Sequence, residues 1–160
     1  MSNIEIERKW LIDSFPSLPV EEELDIEQGY LSFSPSTVRI RKSVRSNEAG
    51  YRLCIKGNGT LSRTEVETPL SASQYEALLP LLAAPPSRKQ LRVFRLPGGE
   101  RLECSLVDGG EPGAFYYAEV EFSSEESARA FVPPSFLGRE VTEEPCWTMA
   151  EYCRRKAKAL

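Results

Sequence analysis

Charged residues in this chain recur two apart. Glu5, Glu7 and Lys9 do so first, then Arg39 and Arg41, then Arg63, Glu65 and Glu67, and finally Glu119 and Glu121. Lys56 shares its side of an extended segment with Arg52 and Cys54. On extended backbone, residues two apart point to one face. Glu pairs so placed aim two hard oxygens at one point, the donor set that Mg²⁺ or Mn²⁺ takes. Arg and Lys on neighbouring strands supply charge-assisted donors for the many oxygens of a phosphate chain. The pattern points to a polyanion such as a triphosphate, bound together with a divalent metal. His is absent from all 160 residues, so no Ser-His or Cys-His nucleophile pair, HExxH zinc site or His-ligated haem can exist within the chain. Acid–base chemistry is left to Glu, Asp, Lys, Tyr, Cys or metal-bound water.

The composition, 41% hydrophobic and 28% charged, is that of an ordinary globular protein, and the length suits a single domain over 1–160. A net charge of −4 argues against duplex nucleic acid or an anionic membrane as a partner and leaves a small phosphorylated molecule as the expected one. A homodimer is kept open as an assembly state. Cys54, Cys104, Cys146 and Cys153 form no CxxC pair, and each reads as a reduced thiol acting as a small buried hydrophobe. Glu5, Glu7, Arg8 and Lys9 are wrong for a signal peptide, and no long apolar run offers a membrane span, so the expected location is the cytoplasm.

The elements that must position these charges are mostly strands. Period-two alternation marks strands over 3–12, 27–33, 37–45, 51–56, 61–68, 88–96, 100–107 and 114–122. Turns are expected at 48–50, 57–59, 98–99 and 108–110. Helices are expected over 71–83, opened by a Ser cap, over 123–131, capped by Ser124, and over about 146–158. About eight strands with turns between most of them suggest an antiparallel barrel or a sandwich. Two readings of the charged face follow. In one it is the solvated outside of a sandwich, the ordinary meaning of such alternation. In the other it faces inward around a wet channel, with the apolar face outside beneath the helices.

Taken together, the motifs resemble the CYTH superfamily, the triphosphate tunnel metalloenzymes. Glu5, Glu7 and Lys9 form an ExExK signature. Gln28-Gly29-Tyr30-Leu31 is similar to the QGYL strand, and Val38-Arg39-Ile40-Arg41 to the VRxR strand. Leu53 to Lys56 resembles the strand ending in a phosphate-binding lysine, Arg63, Glu65 and Glu67 the RxExE strand, Glu119-Val120-Glu121 the ExE strand and Glu140-Val141-Thr142 the late EVT. The matches keep the family's order and span about residues 3 to 155. The resemblance implies an eight-stranded antiparallel β-barrel tunnel with helices outside, a C-terminal helix, and enzymes that act on triphosphates with Mg²⁺ or Mn²⁺. Known members include inorganic and thiamine triphosphatases, class IV adenylate cyclases and RNA triphosphatases.

Carried over residue by residue, the resemblance makes Glu5, Glu7, Glu119 and Glu121 the main metal ligands, with Glu65 and Glu67 helping at a second ion. Lys9, Arg39, Arg41 and Lys56 become the triphosphate clamp, joined by Arg92 from the sixth strand. Lys9 and Tyr30 are the candidate catalytic residues. Tyr30 either orients a water that attacks the terminal phosphorus in line or is a core aromatic with a hydrogen-bonded hydroxyl. Arg52 and Arg63 read better as ion-pair partners of nearby Glu. Counting Glu103, the inferred interior holds seven Glu against six Lys and Arg. Two divalent ions and one triphosphate would bring it close to neutrality.

Two departures stand out. The sixth strand usually carries a KxR pair, whereas here Arg88 and Arg92 share one face of Ser87–Arg95 and Lys89 and Arg95 the other. The next strand usually carries an inward Glu and Asp, and here Ser105 follows Glu103 where the Asp would be. The expected function is divalent-metal-dependent hydrolysis of inorganic tripolyphosphate or a small organic triphosphate. The alternatives are a class IV-type adenylate cyclase and a weakly active polyphosphate- or nucleotide-binding module. The basic run Arg154-Arg155-Lys156 falls on the C-terminal helix, either as part of a tunnel plug or as a favourable partner of the helix dipole.

Overall fold

The computed structural model describes residues 3–159. Its strands are β1 (Ile4–Ile12), β2 (Glu22–Ser32), β3 (Thr37–Arg45), β4 (Glu48–Lys56), β5 (Ser62–Leu70), β6 (Ser87–Arg95), β7 (Arg101–Val107) and β8 (Phe115–Glu121). The helices are α1 (Ala72–Leu78), α2 (Glu125–Ala130) and α3 (Met149–Lys158), with 3₁₀ turns at Leu79–Leu81 and Pro145–Trp147. The eight strands close into an antiparallel barrel in the order β1-β5-β4-β3-β2-β6-β7-β8. The barrel expectation is borne out, and the sandwich reading is set aside. The charged faces turn inward, and the largest hydrophobic cluster lies outside the barrel, with two smaller ones inside it.

That outer core gathers Trp10, Phe94, Leu102, Cys104, Ala118, Val120 and Leu137 from β1, β6, β7, β8 and the segment after α2. Arg8, on the same outer face of β1, donates from Nη1 to the carbonyls of Ala128 and Phe131 at 2.8 Å each, satisfying orphan acceptors at the end of α2. Its other two donors hold Glu140 at 2.9 and 2.6 Å. Thr142 Oγ1 accepts from the Lys9 amide at 3.0 Å, and the Val141 amide donates to the Lys9 carbonyl at 2.8 Å. The Glu140-Val141-Thr142 segment is thus a clasp along one edge of β1, and Val141 and Thr142 also line the cavity within the barrel. α1 packs on β3 and β4, burying Ile40 and Tyr75, with the Tyr51 and Tyr75 rings 5.1 Å apart. Cover is incomplete: the cross-strand neighbours Ile55 and Val66 stay 40% and 46% exposed on β4 and β5.

Four local expectations change. The helix over 71–83 has its Ser71 cap, with the full capping box to Gln74, but its α-helical part ends at Leu78. Pro80 lacks the N–H that would continue the ladder, so the last turn tightens to 3₁₀. The β3–β4 turn falls at Ser46-Asn47, whose φ values of 47° and 68° make a two-residue type I′ hairpin closed by the Arg45–Glu48 pair. Glu48–Gly50 belongs to β4 instead. β2 begins at Glu22 rather than 27, because Glu22 to Gln28 pair with β6 and the acidic side chains meet Arg partners there. Cys54, Cys104 and Cys153 are buried and unbridged as expected, but Cys146 is exposed in the 3₁₀ turn.

α3 closes one end of the barrel. Met149 and Cys153 pack on Tyr30, Val107 and Tyr117, and Asp108 anchors the helix by accepting from Tyr152 Oη at 2.5 Å and Lys156 Nζ at 2.9 Å. Arg154 pairs along the helix with Glu151, so the basic run braces the outside of α3 and sends none of these ion pairs into the tunnel. Among the described residues, no helix is long and apolar enough to cross a membrane.

The loop from β4 to β5 sets the register of Lys56 against Glu65. Gly59 sits at φ 144°, and a Cβ there would run into the Ser62 carbonyl, whereas a Cβ at Gly57 would meet only ordinary contact with Thr64 at 3.6 Å. Gly59→Ala is therefore expected to cost about 1–3 kcal/mol in denaturant unfolding, and Gly57→Ala much less. Equal losses in the two variants would contradict this account of the loop.

Candidate active site

Alternation on closed strands brings the paired charges to one cavity of about 300 Å³ inside the barrel. Glu5, Glu7, Lys9, Tyr30, Arg39, Arg41, Lys56, Glu65, Glu67, Glu119 and Glu121 all line it. The registers match faces across strands: Glu5 lies opposite Arg63, Glu7 opposite Glu121, Lys9 opposite Glu119 and Lys56 opposite Glu65. Trp147, Thr148 and Met149 wall the end beneath α3.

The carboxylates divide into two groups. Glu5 is bound on both sides, by Lys56 Nζ at 2.8 Å and Arg63 Nε at 3.1 Å. Burial opposes its charge, but a hydrogen bond from Glu65 and the two cations win and hold it down at about 2. Burial and that same hydrogen bond push Glu65 up to about 7, so one proton shared by the pair resides on Glu65. The second group is less balanced. Glu7 faces Glu121, and Glu119 faces Glu103, and like charges directly opposed on a sheet repel. Burial and then the Glu119 charge raise Glu7 well above the usual carboxylate range. Burial, Glu5 and Glu103 raise Glu121. Glu119 stays ionised, held down at about 2 against burial chiefly by Lys9.

This donor set suits a hard divalent cation: clustered Glu oxygens, no nitrogen ligand, and repulsion that a cation would relieve. Glu7, Glu119 and Glu121 bring carboxylates to the cavity from β1 and β8. On the adjoining strands β5 and β4, ligand atoms of Glu65, Glu67 and Cys54 lie within 4.8 Å of one another.

The cations form the other half of the lining. Lys56 stays firmly protonated, because nearby Glu charges, Glu7 foremost, outweigh the burial that opposes it. Arg39 reaches only a loose contact with Glu67 at 3.8 Å, and its buried Nε has no hydrogen-bond partner among the described residues. Arg41 is held by Gln28, whose Oε1 accepts from Nε at 3.1 Å and Nη2 at 2.9 Å. Lys9 donates from Nζ to the Trp147 carbonyl at 2.6 Å and sits 3.9 Å over the centre of the Tyr117 ring. Burial lowers its pKa. Tyr30 lies beside Tyr117 and Met149, stacked on Phe33 at 5.4 Å, so it is at once a tunnel wall and part of an aromatic cluster.

Arg92 is the exception among the expected site residues. It points out of the barrel, pairs with Glu23 at 2.7 Å and stacks its guanidinium 4.3 Å from the Phe15 ring. The inward base of β6 is Lys89, which donates to Tyr117 Oη at 2.8 Å and whose pKa burial drives well down. The inward phase of β6 continues as Leu91 and Val93, which pack on Ile26 inside the barrel. Apolar residues face outward on most strands and inward here, which is why the alternation misled. Leu91 is directly opposite Ser105, so the two departures noted in the sequence are one cross-strand pair. Ser105 Oγ, fully buried, has no partner among the described residues. Arg52 and Arg63 do ion-pair with Glu, as expected: Arg52 with Glu67 at 3.9 Å, Arg63 with Glu5 and Glu7. Sequence reasoning missed Lys89, Gln28 and Tyr117. Of these only Gln28 stood in a quoted motif, where it carries no charge to mark it.

Comparison with known proteins agrees with this geometry. No family model matches the chain. It is 35% identical to an inorganic triphosphatase of Nitrosomonas europaea over 140 residues, 88% of this chain and 90% of the relative. It is 30% identical to an inorganic triphosphatase of Acetivibrio thermocellus, over 88% of this chain and 87% of the relative. The solved inorganic triphosphatase NE1496 superposes with a TM-score of 0.65 at 29% identity, over 93% of both chains. A Pyrococcus horikoshii protein, PH1819, shares the fold with a TM-score of 0.68 at 16% identity, over 97% of this chain and 99% of its own. Two relatives at this identity, aligned over nearly the whole length, together with the charged eight-stranded barrel, identify the chain as a member of the inorganic triphosphatases of the CYTH, or triphosphate tunnel metalloenzyme, superfamily.

Proposed function

We propose that this protein hydrolyses inorganic triphosphate with the help of Mg²⁺ or Mn²⁺. The observation that carries this reading is the pairing, in one cavity, of a repelling Glu cluster with cations that lack full ionic partners. Its inorganic triphosphatase relatives support the substrate. Glu7, Glu119 and Glu121, with Glu5, would hold one cation, and Glu65 and Glu67 would contribute toward a second. Such a cation, when bound, would offset the charge of the phosphate chain and of the Glu cluster and make bound water more acidic. The clamp we assign to Arg39, Arg41, Lys56 and Lys89 binds the phosphate oxygens and fixes the chain for in-line attack. Lys9, a donor that lines the cavity, is suited to bind the reacting phosphate, and Tyr30 to orient the attacking water. The unbridged thiols fit a cytoplasmic setting.

Purified protein with tripolyphosphate should release orthophosphate when Mg²⁺ or Mn²⁺ is added and none in excess chelator. Undiminished release in chelator would overturn the metal requirement. Cyclic nucleotide and pyrophosphate made from ATP, with tripolyphosphate untouched, would replace hydrolysis by cyclisation.

The two halves of the lining should separate kinetically. Lys56→Ala removes a charge-assisted contact and should raise KM for tripolyphosphate about tenfold or more. Glu121→Gln should leave KM nearly unchanged and raise the metal concentration needed for half-maximal rate. A Lys56→Ala enzyme with parental KM and parental tripolyphosphate affinity would remove Lys56 from the clamp.

A proton on Glu65 near pH 7 competes with a cation for the same oxygens. Metal affinity should therefore rise with pH, up to about tenfold per unit below 7, and level off above it. Calorimetric metal titrations at pH 6 and 8 read this directly, with proton release at the lower pH. The same group sets the sign for stability: its pKa is raised on folding, so without metal its contribution is full below about pH 4.5 and fades as pH climbs through about 7.

A further inference from the structure

Among the tunnel arginines, Arg41 is held differently from the others. Lys56 and Arg63 meet Glu5 at 2.8 and 3.1 Å, and Arg39 approaches Glu67. Arg41 makes no ion pair among the described residues, and its partner is the neutral amide of Gln28. Gln28 has no exposed surface. It stands on β2 directly opposite Arg41 on β3, with Ser87 of β6 on its other side. Its Oε1 takes two donors of the guanidinium fork, which also dictates the orientation of the amide, since the reverse would set N–H against N–H. Its Nε2 has no partner among the described residues, a desolvation cost that a better-suited structural residue would avoid.

A Glu of the same shape would hold the same two donors more strongly and would stabilise the empty protein, because burial and the neighbouring Arg39 both disfavour the Arg41 charge. It would also cancel the charge that a phosphate chain needs. We infer that Gln28 is a positioning residue that locks the Arg41 guanidinium in the tunnel wall while leaving its positive charge unneutralised for the substrate. The inference rests on the triphosphatase reading and extends it: affinity for the polyanion depends on a neutral acceptor behind the clamp as well as on the clamp.

The experiment compares the parent with Gln28→Glu and Gln28→Met, the first keeping the acceptor and adding a charge, the second keeping the bulk and removing the acceptor. Tripolyphosphate binding is read by calorimetry without metal, kinetics with Mg²⁺, and folding by thermal melting. Gln28→Glu should weaken binding and raise KM about tenfold or more, with kcat changed less than threefold and a melting temperature equal to or above the parent's. That combination separates the role from a structural one, which would lower binding and melting temperature together. Gln28→Met should melt lower and also bind more weakly, because Arg41 is no longer held. Gln28→Glu with parental affinity and KM would overturn the inference, as would a variant whose loss lies in kcat alone. If Gln28→Glu fails to fold, parental affinity in Gln28→Met overturns it equally. If the parent neither binds nor cleaves tripolyphosphate, the triphosphatase reading falls and this inference with it. If the parent does both and the variants match it, only the role of Gln28 falls.

Discussion

Charge balance inside a closed barrel is the constraint on which the rest of this structure depends. A charge taken out of water must be paired, hydrogen-bonded or neutralised by proton transfer, and this tunnel uses all three. Glu5 is paired twice, Arg41 is hydrogen-bonded to an amide, and Glu65 favours its proton. What remains is an internal arrangement that is tolerable when empty and improved by ions of both signs. The same feature that makes the interior a poor hydrophobic core makes it a good receptacle for a metal–polyanion pair.

An interior of this kind requires the core to lie elsewhere. Trp10, Phe94, Leu102 and Val120 pack outside the wall, beneath α2 and the segment that follows it. Arg8 ties that layer to β1 by capping the end of α2 and holding Glu140, and the Thr142 hydroxyl ties it to the Lys9 backbone. The backbone that carries Glu5, Glu7 and Lys9 is thus gripped from behind by ordinary packing. This is how side chains that repel one another can be kept in register.

Most of the barrel was legible in the sequence because period two is unbroken where apolar and charged residues sort cleanly. β3 is the clearest case, with Val38 and Ile40 outside and Arg39 and Arg41 inside. The alternation alone does not say which face is inside, and only the motif order spoke for the tunnel. β6 was misread because it carries bases on both faces and turns Leu91 and Val93 inward, so no face looked like the lining. The β3–β4 hairpin was placed late because Ser46 and Asn47 take left-handed backbone without glycine, while the nearby Gly50 drew the turn to itself. Gln28 escaped notice because an uncharged side chain gains its meaning only from the guanidinium opposite it.

The separation of wall interior from core has an evolutionary corollary in the Leu91–Ser105 pair. These two residues face each other within the tunnel, on the two strands where the family resemblance implies a basic pair and an inward Asp. Replacing such a pair together removes a positive and a negative charge at once and leaves the net balance intact. None of the outer-layer residues around Trp10 has to repack in consequence. A barrel built this way can drift in what it selects by neutral, paired exchanges on its inner surface, with the stability of the fold held constant by a different set of residues.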